Sequence, residues 1–231
     1  MKILSLRLAL SAMLLAVSMA AVSQENFLGK EANRAILNNL QEAADSAFAK
    51  GDYGQALELY QKELAPLGDK YSQYMVGYMY LAGKGVQEDA ILASAWYRLA
   101  AQRETEQYVR IRDSLLALFN DEQRSQSDEL YIDLRREMGD LTLVGQLIRR
   151  DLQIFRLRTS SSLFLQGANK SATSGHRLDE TDAAAERINA RVEMLDRQIT
   201  LETTLDDSER ETLTKLLRDA DSEVEAYKAR R

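Results

Sequence analysis

The chain of 231 residues contains no cysteine, one proline and one histidine. Without cysteine there is no disulfide framework, no thiolate nucleophile and no cysteine ligand for zinc or an iron–sulfur cluster. The single histidine, His176, excludes any site that needs two imidazoles. Because proline is the main residue that interrupts helices, a chain whose only proline is Pro66 can stay helical over long stretches.

Net charge and missing motifs argue against two further classes of function. The formal net charge of -6 disfavours non-specific binding to nucleic acid. The sequence has no glycine-rich phosphate loop, no nucleophile elbow and no metal-binding histidine pair. Acidic pairs such as Glu129 and Asp133 are expected by chance among 36 acidic residues. We therefore predict a protein that is not an enzyme, with no catalytic residue, no cofactor and no metal site.

The N-terminal 23 residues have the pattern of a secretory signal peptide. Lys2 and Arg7 supply the positive start, and the apolar stretch 8–22 follows. That stretch is shorter than the roughly 20 apolar residues that a bilayer-spanning helix needs. Small residues favour cleavage after Ser23, with Ala20 as the second choice and an uncleaved anchor as the alternative. We predict a signal peptide over 1–23, an exported and most simply periplasmic protein, and no transmembrane span after cleavage.

Residues 24–158 are predicted to form a domain of helical repeats. Asp52, Ala56 and Tyr60 recur 37 residues later as Asp89, Ala93 and Tyr97, a spacing typical of helix–turn–helix repeats. The first unit, 35–66, resembles a tetratricopeptide unit. The residues that carry this resemblance are Leu40, Ala44, Gly51, Tyr53, Ala56 and Tyr60.

The second unit, 71–102, resembles the Sel-one-like repeat family, a branch of the tetratricopeptide superfamily. Eleven residues stand where the pattern of that family places them: Gly77, Tyr80, Gly83, Gly85, Val86, Asp89, Ala93, Trp96, Tyr97, Ala100 and Ala101. The resemblance implies an all-α fold, a short right-handed solenoid of antiparallel helix pairs. It also implies work as a protein–protein scaffold or adaptor.

Each of these repeat residues has a physical reason for its position. Gly77 lacks a Cβ and lets the neighbouring helix approach, while Gly83 and Gly85 suit a tight loop between the helices. Asp89 is placed to accept hydrogen bonds from the first turn of the next helix. The alanines keep the distance between helices short, and the aromatic residues fill the space between units. These residues are predicted to form the scaffold and not a site.

Tyr71, Tyr74 and Tyr78 are the candidate partner-binding residues. Their helix is apolar on nearly all sides, so its second face either packs on the preceding hairpin or is offered to a ligand. In the first case the tyrosines are core residues. In the second case they line the concave face, where rigid amphipathic tyrosines are good anchors for a bound peptide.

Residues 104–157 are predicted to form three helices that are either degenerate repeats or a cap over the end of the stack. Arg149, Arg150, Arg156 and Arg158 form a basic cluster there, which is either a solvated face with local ion pairs or a receptor for an anionic partner. The Ser-, Thr- and Gly-rich stretch 159–177 is predicted to be a linker, and His176 within it to be incidental.

Residues 178–231 are predicted to form a C-terminal helical hairpin or coiled coil. Its first apolar seam consists of Ile188, Val192, Leu195 and Ile199, and its second of Leu213, Leu217, Ala220, Val224 and Tyr227. Ser208 and Glu211 fit a capping box at the start of the second helix. The two helices either close on each other, pair with a second chain or cover the stack.

Taken together, the sequence predicts an exported, non-catalytic Sel-one-like scaffold whose partner is a protein or peptide, not nucleic acid. The alternative is a structural protein that forms a homo-oligomer through the C-terminal hairpin.

Overall fold

The computed structural model describes residues 31–165 and 174–230, with side chains over 35–159 and 180–230. All regular secondary structure in these ranges is helical, which confirms the predicted all-α class. The signal peptide predicted over 1–23 lies outside the described residues, as do residues 166–173 of the predicted linker. None of the helices in the described ranges is long and apolar enough to cross a membrane.

The chain divides into two compact units, an N-terminal unit that ends at Gly139 and a C-terminal unit that begins at Asp140. The predicted boundary at 158 is therefore wrong by about one helix. The physical reason is that 140–165 is a single continuous helix that packs on the two helices following it. Of the three helices predicted over 104–157, the first two therefore belong to the N-terminal unit and the third begins the C-terminal unit.

The described part of the N-terminal unit contains six α-helices. They are α1 Glu31–Lys50, α2 Tyr53–Glu58, α3 Lys70–Ala82, α4 Ala90–Ala100, α5 Glu106–Leu116 and α6 Asp121–Met138. Helix α2 continues into a π-helical segment, Leu59–Leu64, and a 3-10 turn, Ala65–Leu67. A second 3-10 turn, Ala101–Arg103, follows α4.

Local sequence explains where these helices begin and end. The side chains of Asp52, Asp69, Asp89 and Asn120 each accept a hydrogen bond from a backbone N–H in the first turn of the next helix, which satisfies donors that have no intrahelical partner. Helix α3 ends at Gly83, whose φ of +64° is the left-handed conformation that glycine adopts without steric cost.

The helices pack as pairs around one apolar core. Helix α1 contacts α2, α3 contacts α4, and α4 also contacts α5 and α6. Both predicted repeat units therefore consist of two helices that pack on each other. The core is rich in aromatic residues, among them Tyr60, Tyr74, Trp96 and Tyr97, all buried.

The described part of the C-terminal unit contains three helices that contact one another in pairs: α7 Asp140–Leu165, α8 Ser174–Leu201 and α9 Asp207–Lys228. The predicted linker 159–177 is wrong at both ends, because 159–165 continue α7 and 174–177 begin α8. The capping box at the start of α9 also lies two residues earlier than predicted, at Asp206 and Glu209.

The predicted C-terminal seams are largely buried. Ile188, Val192, Leu195, Ile199, Leu217, Ala220 and Val224 are buried, whereas Leu213 and Tyr227 are half-buried. Tyr227 packs edge-on against Phe155 of α7, with ring centroids 5.3 Å apart. The two helices of the predicted hairpin, α8 and α9, thus share their apolar core with a third helix, α7.

Candidate functional site

The α3–α4 hairpin holds the repeat residues in the packing positions that the sequence predicts. A Cβ added at Gly77 would lie 2.8 Å from Cδ1 of Tyr97, which confirms the predicted close approach of the two helices. Asp89 accepts hydrogen bonds from the N–H groups of Ile91 (3.0 Å) and Leu92 (2.9 Å), which confirms its capping role. Ala93, Trp96, Tyr97, Ala100 and Ala101 are buried, while Tyr80 and Val86 are half-buried.

The loop of this hairpin contacts the preceding hairpin. Gly85 has a φ of +72°, and a Cβ added there would lie 2.6 Å from the backbone carbonyl atoms of Tyr53. Lys84 Nζ lies 4.3 Å from the centroid of the Tyr53 ring and 5.6 Å from that of Phe48, within the range of a cation–π contact. Glycine at position 85 and the lysine beside it therefore join the two hairpins.

The three candidate partner-binding tyrosines occupy different environments. Tyr74 is 0% exposed and Tyr78 is 5% exposed, so the interpretation of these two as surface anchors is wrong. The core interpretation holds because α3 is covered by α4 on one side and by the first hairpin on another. Tyr71 is half-buried, and its hydroxyl donates to Asp45 Oδ1 at 3.2 Å.

Asp45 also accepts a hydrogen bond from the hydroxyl of Tyr60. Burial is the main cause that raises the pKa of both Tyr60 and Tyr71 above the ordinary value for a phenol. Both phenols are therefore held protonated and act as donors to one carboxylate. Because Asp45 lies on α1, Tyr60 on the π-helical segment and Tyr71 on α3, the cluster fastens three elements together.

A second tyrosine cluster lies deeper. The ring of Tyr74 stacks on that of Tyr108 at 5.5 Å and lies 5.6 Å from that of Tyr97. Burial raises the pKa of all three phenols. Among the described residues, no group forms a hydrogen bond with the hydroxyl of Tyr74 or of Tyr97. A buried hydroxyl that lacks a partner costs free energy.

We expect Tyr74→Phe and Tyr97→Phe each to leave the free energy of unfolding unchanged or to raise it by up to about 1 kcal/mol, because each removes a hydroxyl desolvated without compensation. Urea titration followed by the fluorescence of Trp96 measures this. Tyr60→Phe is the matched control and should destabilise, since its hydroxyl is bonded to Asp45. A loss above about 1 kcal/mol in either core variant would contradict the expectation.

A buried polar cluster that no sequence pattern predicted lies between the start of α3 and the end of α4. The side chain of Lys70 is buried, and Nζ donates to the carbonyl oxygen of Leu99 at 2.9 Å. It also donates to Oε1 of Gln73 and Oε1 of Gln102, both at 3.0 Å. A lysine at this position carries no sequence signal of burial, because lysine is almost never fully buried.

Asp69 adjoins this cluster and is itself buried. Its Oδ2 accepts from the N–H of Ser72 at 2.8 Å. Burial raises the pKa of Asp69, and the bond from Ser72 and the charges of Arg103 and Lys70 oppose that shift only in part. The native state therefore favours the protonated carboxyl more than the unfolded chain does, and the stability that follows is lost as pH rises through the native pKa.

We expect Asp69→Asn to be as stable as the parent or more stable near pH 7, because asparagine keeps the cap without a buried charge. The parent should gain stability relative to this variant as the pH falls toward about 4. Urea titrations of both proteins at the two pH values measure the difference, and contributions common to both cancel. Asp69→Ala, the control without a cap, should lose about 1 kcal/mol. If the parent instead loses stability relative to Asp69→Asn as the pH falls, the predicted direction of the pH dependence is wrong.

The basic cluster of the C-terminal unit separates into two pairs. Arg156 is bound to Glu223, and Arg158 Nη1 lies 3.1 Å from Glu180 Oε2. Arg149 and Arg150 are exposed. The interpretation as a solvated face with local ion pairs therefore describes the second pair and leaves the first pair open.

Among the described residues, no group of three or more His, Asp or Glu side chains is arranged to hold a metal ion. His176 lies in the first turn of α8, and its side chain is outside the described side chains. Comparison of the chain with models of protein families, with curated proteins and with solved structures gave no match.

Proposed function

We propose that the N-terminal unit is a Sel-one-like repeat domain and that the protein is an exported, non-catalytic scaffold for a protein or peptide partner. The observation that carries the proposal is the agreement between the family pattern of 71–102 and its packing. Gly77, Gly85 and Asp89 each occupy the position where a helix pair needs that residue.

The hydrogen bonds of the buried polar side chains also support a scaffold. Buried polar groups such as those of Lys70, Asp69 and Tyr60 bond to other residues of the same unit. When the buried polar groups of a unit bond to one another, the surface of that unit is pre-organised. Pre-organisation lowers the entropic cost of binding. The partner surface is then an outward face, and not Tyr74 or Tyr78.

Helix α1 offers such a face. Ile36 is 59% exposed, and Asn39 and Ala43 are exposed on the following turns of the same side. Residues three and seven positions apart lie on one stripe of a helix. We place the partner surface on this stripe, where Ile36 would supply the apolar contact and Asn39 the polar one.

Site-specific photo-cross-linking in the native cell tests the proposal. Benzoylphenylalanine is placed at Asn39 or Ala43 of α1 and, as the matched control, at Glu122 or Glu129 on the exposed side of α6. We expect one defined heterologous adduct from the α1 positions and none from α6. Identical adducts from both helices, or none from either, contradict a scaffold that acts through α1.

Export has its own test. We expect the mature chain in the periplasmic fraction to begin at Gln24, or at Ala21 if cleavage follows Ala20, as determined by mass spectrometry. An intact Met1 on the cellular protein would contradict a cleaved signal. Self-association through the C-terminal hairpin has less support, since Ile188, Leu195 and Val224 are already buried in the chain.

A further inference from the structure

Helix α7 has an outward stripe that combines cationic and apolar side chains. Gln146, Arg149, Arg150, Gln153, Ile154 and Leu157 are exposed on it, and we call these six residues the α7 stripe. Leu157 is 64% exposed and Ile154 is 39% exposed. The stripe covers about three helical turns, or roughly 17 Å. The opposite side of α7, which includes Val144, Ile148 and Phe155, is buried.

No carboxylate among the described side chains of the C-terminal unit pairs with the two arginines of the stripe. The nearest carboxylate along the helix, Asp151, is bound to Arg191. Arg149 and Arg150 form no ion pair with any residue that the structure describes. Burial is the main cause that lowers the pKa of Arg191, and the neighbouring charge of Arg150 lowers it further.

We propose that the α7 stripe docks an acidic amphipathic helix of a protein partner. Ile154 and Leu157 would be covered by apolar side chains of that helix, and Arg149 and Arg150 would pair with its carboxylates. Arginine suits this task because its planar guanidinium binds a carboxylate through two parallel hydrogen bonds. The inference rests on the proposed scaffold function and adds to it a second surface with a stated partner chemistry.

The stripe favours a protein over an anionic membrane. Helices that lie in a membrane interface have a wide apolar face with large hydrophobic residues, whereas this stripe has two aliphatic side chains. Gln153 adjoins these two side chains and Gln146 lies at the other end of the stripe, and their amides match the polar groups of a peptide better than acyl chains. Three turns is also the length over which a bound helix presents anchors at intervals of three and four residues.

Fluorescence anisotropy of labelled synthetic peptides tests the inference with the full chain. The probe is a helical peptide of about 18 residues with a leucine stripe flanked by glutamates, and its control has lysine in place of each glutamate. We expect saturable binding of the acidic peptide alone. The double variant Arg149→Glu/Arg150→Glu should weaken this binding by at least about tenfold and should bind the lysine peptide instead. Leu157→Glu should also weaken it.

The matched control is Arg187→Glu/Arg197→Glu, which changes the net charge equally at two exposed arginines of α8. Its affinity for the acidic peptide should stay within about twofold of the parent. Circular dichroism of every variant should be that of the parent, because all these side chains are exposed.

Three results would overturn the inference. They are no saturable binding of the acidic peptide, equal losses in the α7 and α8 double variants, and binding only to vesicles that contain phosphatidylglycerol. Each leaves the photo-cross-linking at α1 unaffected, so failure of the α7 stripe is distinguishable from failure of the proposed scaffold function.

Discussion

Trp96→Ala is expected to lower the free energy of unfolding of the N-terminal unit by about 3–5 kcal/mol, the usual cost of replacing a buried large aromatic residue with alanine. Trp96 is among the largest fully buried side chains of the protein. It lies on α4, the helix that contacts α3, α5 and α6. A cavity at this point removes contacts from the centre of the unit, where neighbouring helices cannot easily collapse to fill it.

Thermal and urea unfolding followed by circular dichroism measure this loss, since the variant has no tryptophan to report it. Ile36→Ala is the control, because an exposed isoleucine loses little on truncation, about 0.5 kcal/mol or less. If Trp96→Ala unfolds at the same urea concentration as the parent, the result contradicts the placement of α4 at the centre of the unit.

Gly85→Ala is expected to lower the free energy of unfolding by about 2–5 kcal/mol. Two effects add: a non-glycine residue in the left-handed region costs about 1–2 kcal/mol, and overpacking adds about 1–3 kcal/mol. The second effect arises because the new Cβ would lie 2.6 Å from the backbone of Tyr53, so the loop or the first hairpin must move.

Gly51→Ala separates these two effects. Gly51 has a similar φ of +82°, but a Cβ there meets nothing within 4 Å. We expect that variant to lose only the backbone cost of about 1–2 kcal/mol. The fluorescence of Trp96, the only tryptophan in the chain, follows the unfolding of both variants. Equal losses at the two positions would show that Tyr53 moves aside freely.

Local chemistry made part of this fold predictable. The capping role of Asp89 depends on bonds to residues two and three positions away, and the need for glycine at position 77 follows from a repeat pattern that includes Tyr97. The cap can be recognised from local spacing alone, whereas the glycine is expected from the resemblance of residues 71–102 to the Sel-one-like repeat pattern. The three helices predicted over 104–157 follow from apolar periodicity.

The tyrosines of α3 show where periodicity stops being informative. A helix that is apolar on nearly all sides does not indicate which face is covered, because that depends on neighbours distant in the chain. Tyr71 is half-buried and Tyr74 fully buried although both fit the same pattern. The hydroxyl of Tyr71 is engaged by Asp45, 26 residues earlier, a pairing that no local signal encodes.

The predictions of the domain boundary and of the start of α9 are wrong for different reasons. Residues 159–165 include three serines that favour a loop by composition, but they continue a helix anchored by the buried residues before them. At the start of α9, both Asp206 with Glu209 and Ser208 with Glu211 fit the capping-box pattern. The sequence therefore offered two equivalent starts, and the earlier one forms the bonds.

The buried ammonium of Lys70 has a consequence for how the α3–α4 hairpin moves. At the open end of the hairpin, Lys70 Nζ is bonded to the carbonyl of Leu99. At the turn end, the N–H of Asp89 is bonded to the carbonyl of Tyr80 at 3.0 Å. Sliding of one helix along the other by a turn, about 5.4 Å, would break both bonds at once. The axial register of the pair is thus fixed at two points, and α3 and α4 are expected to move together as one body.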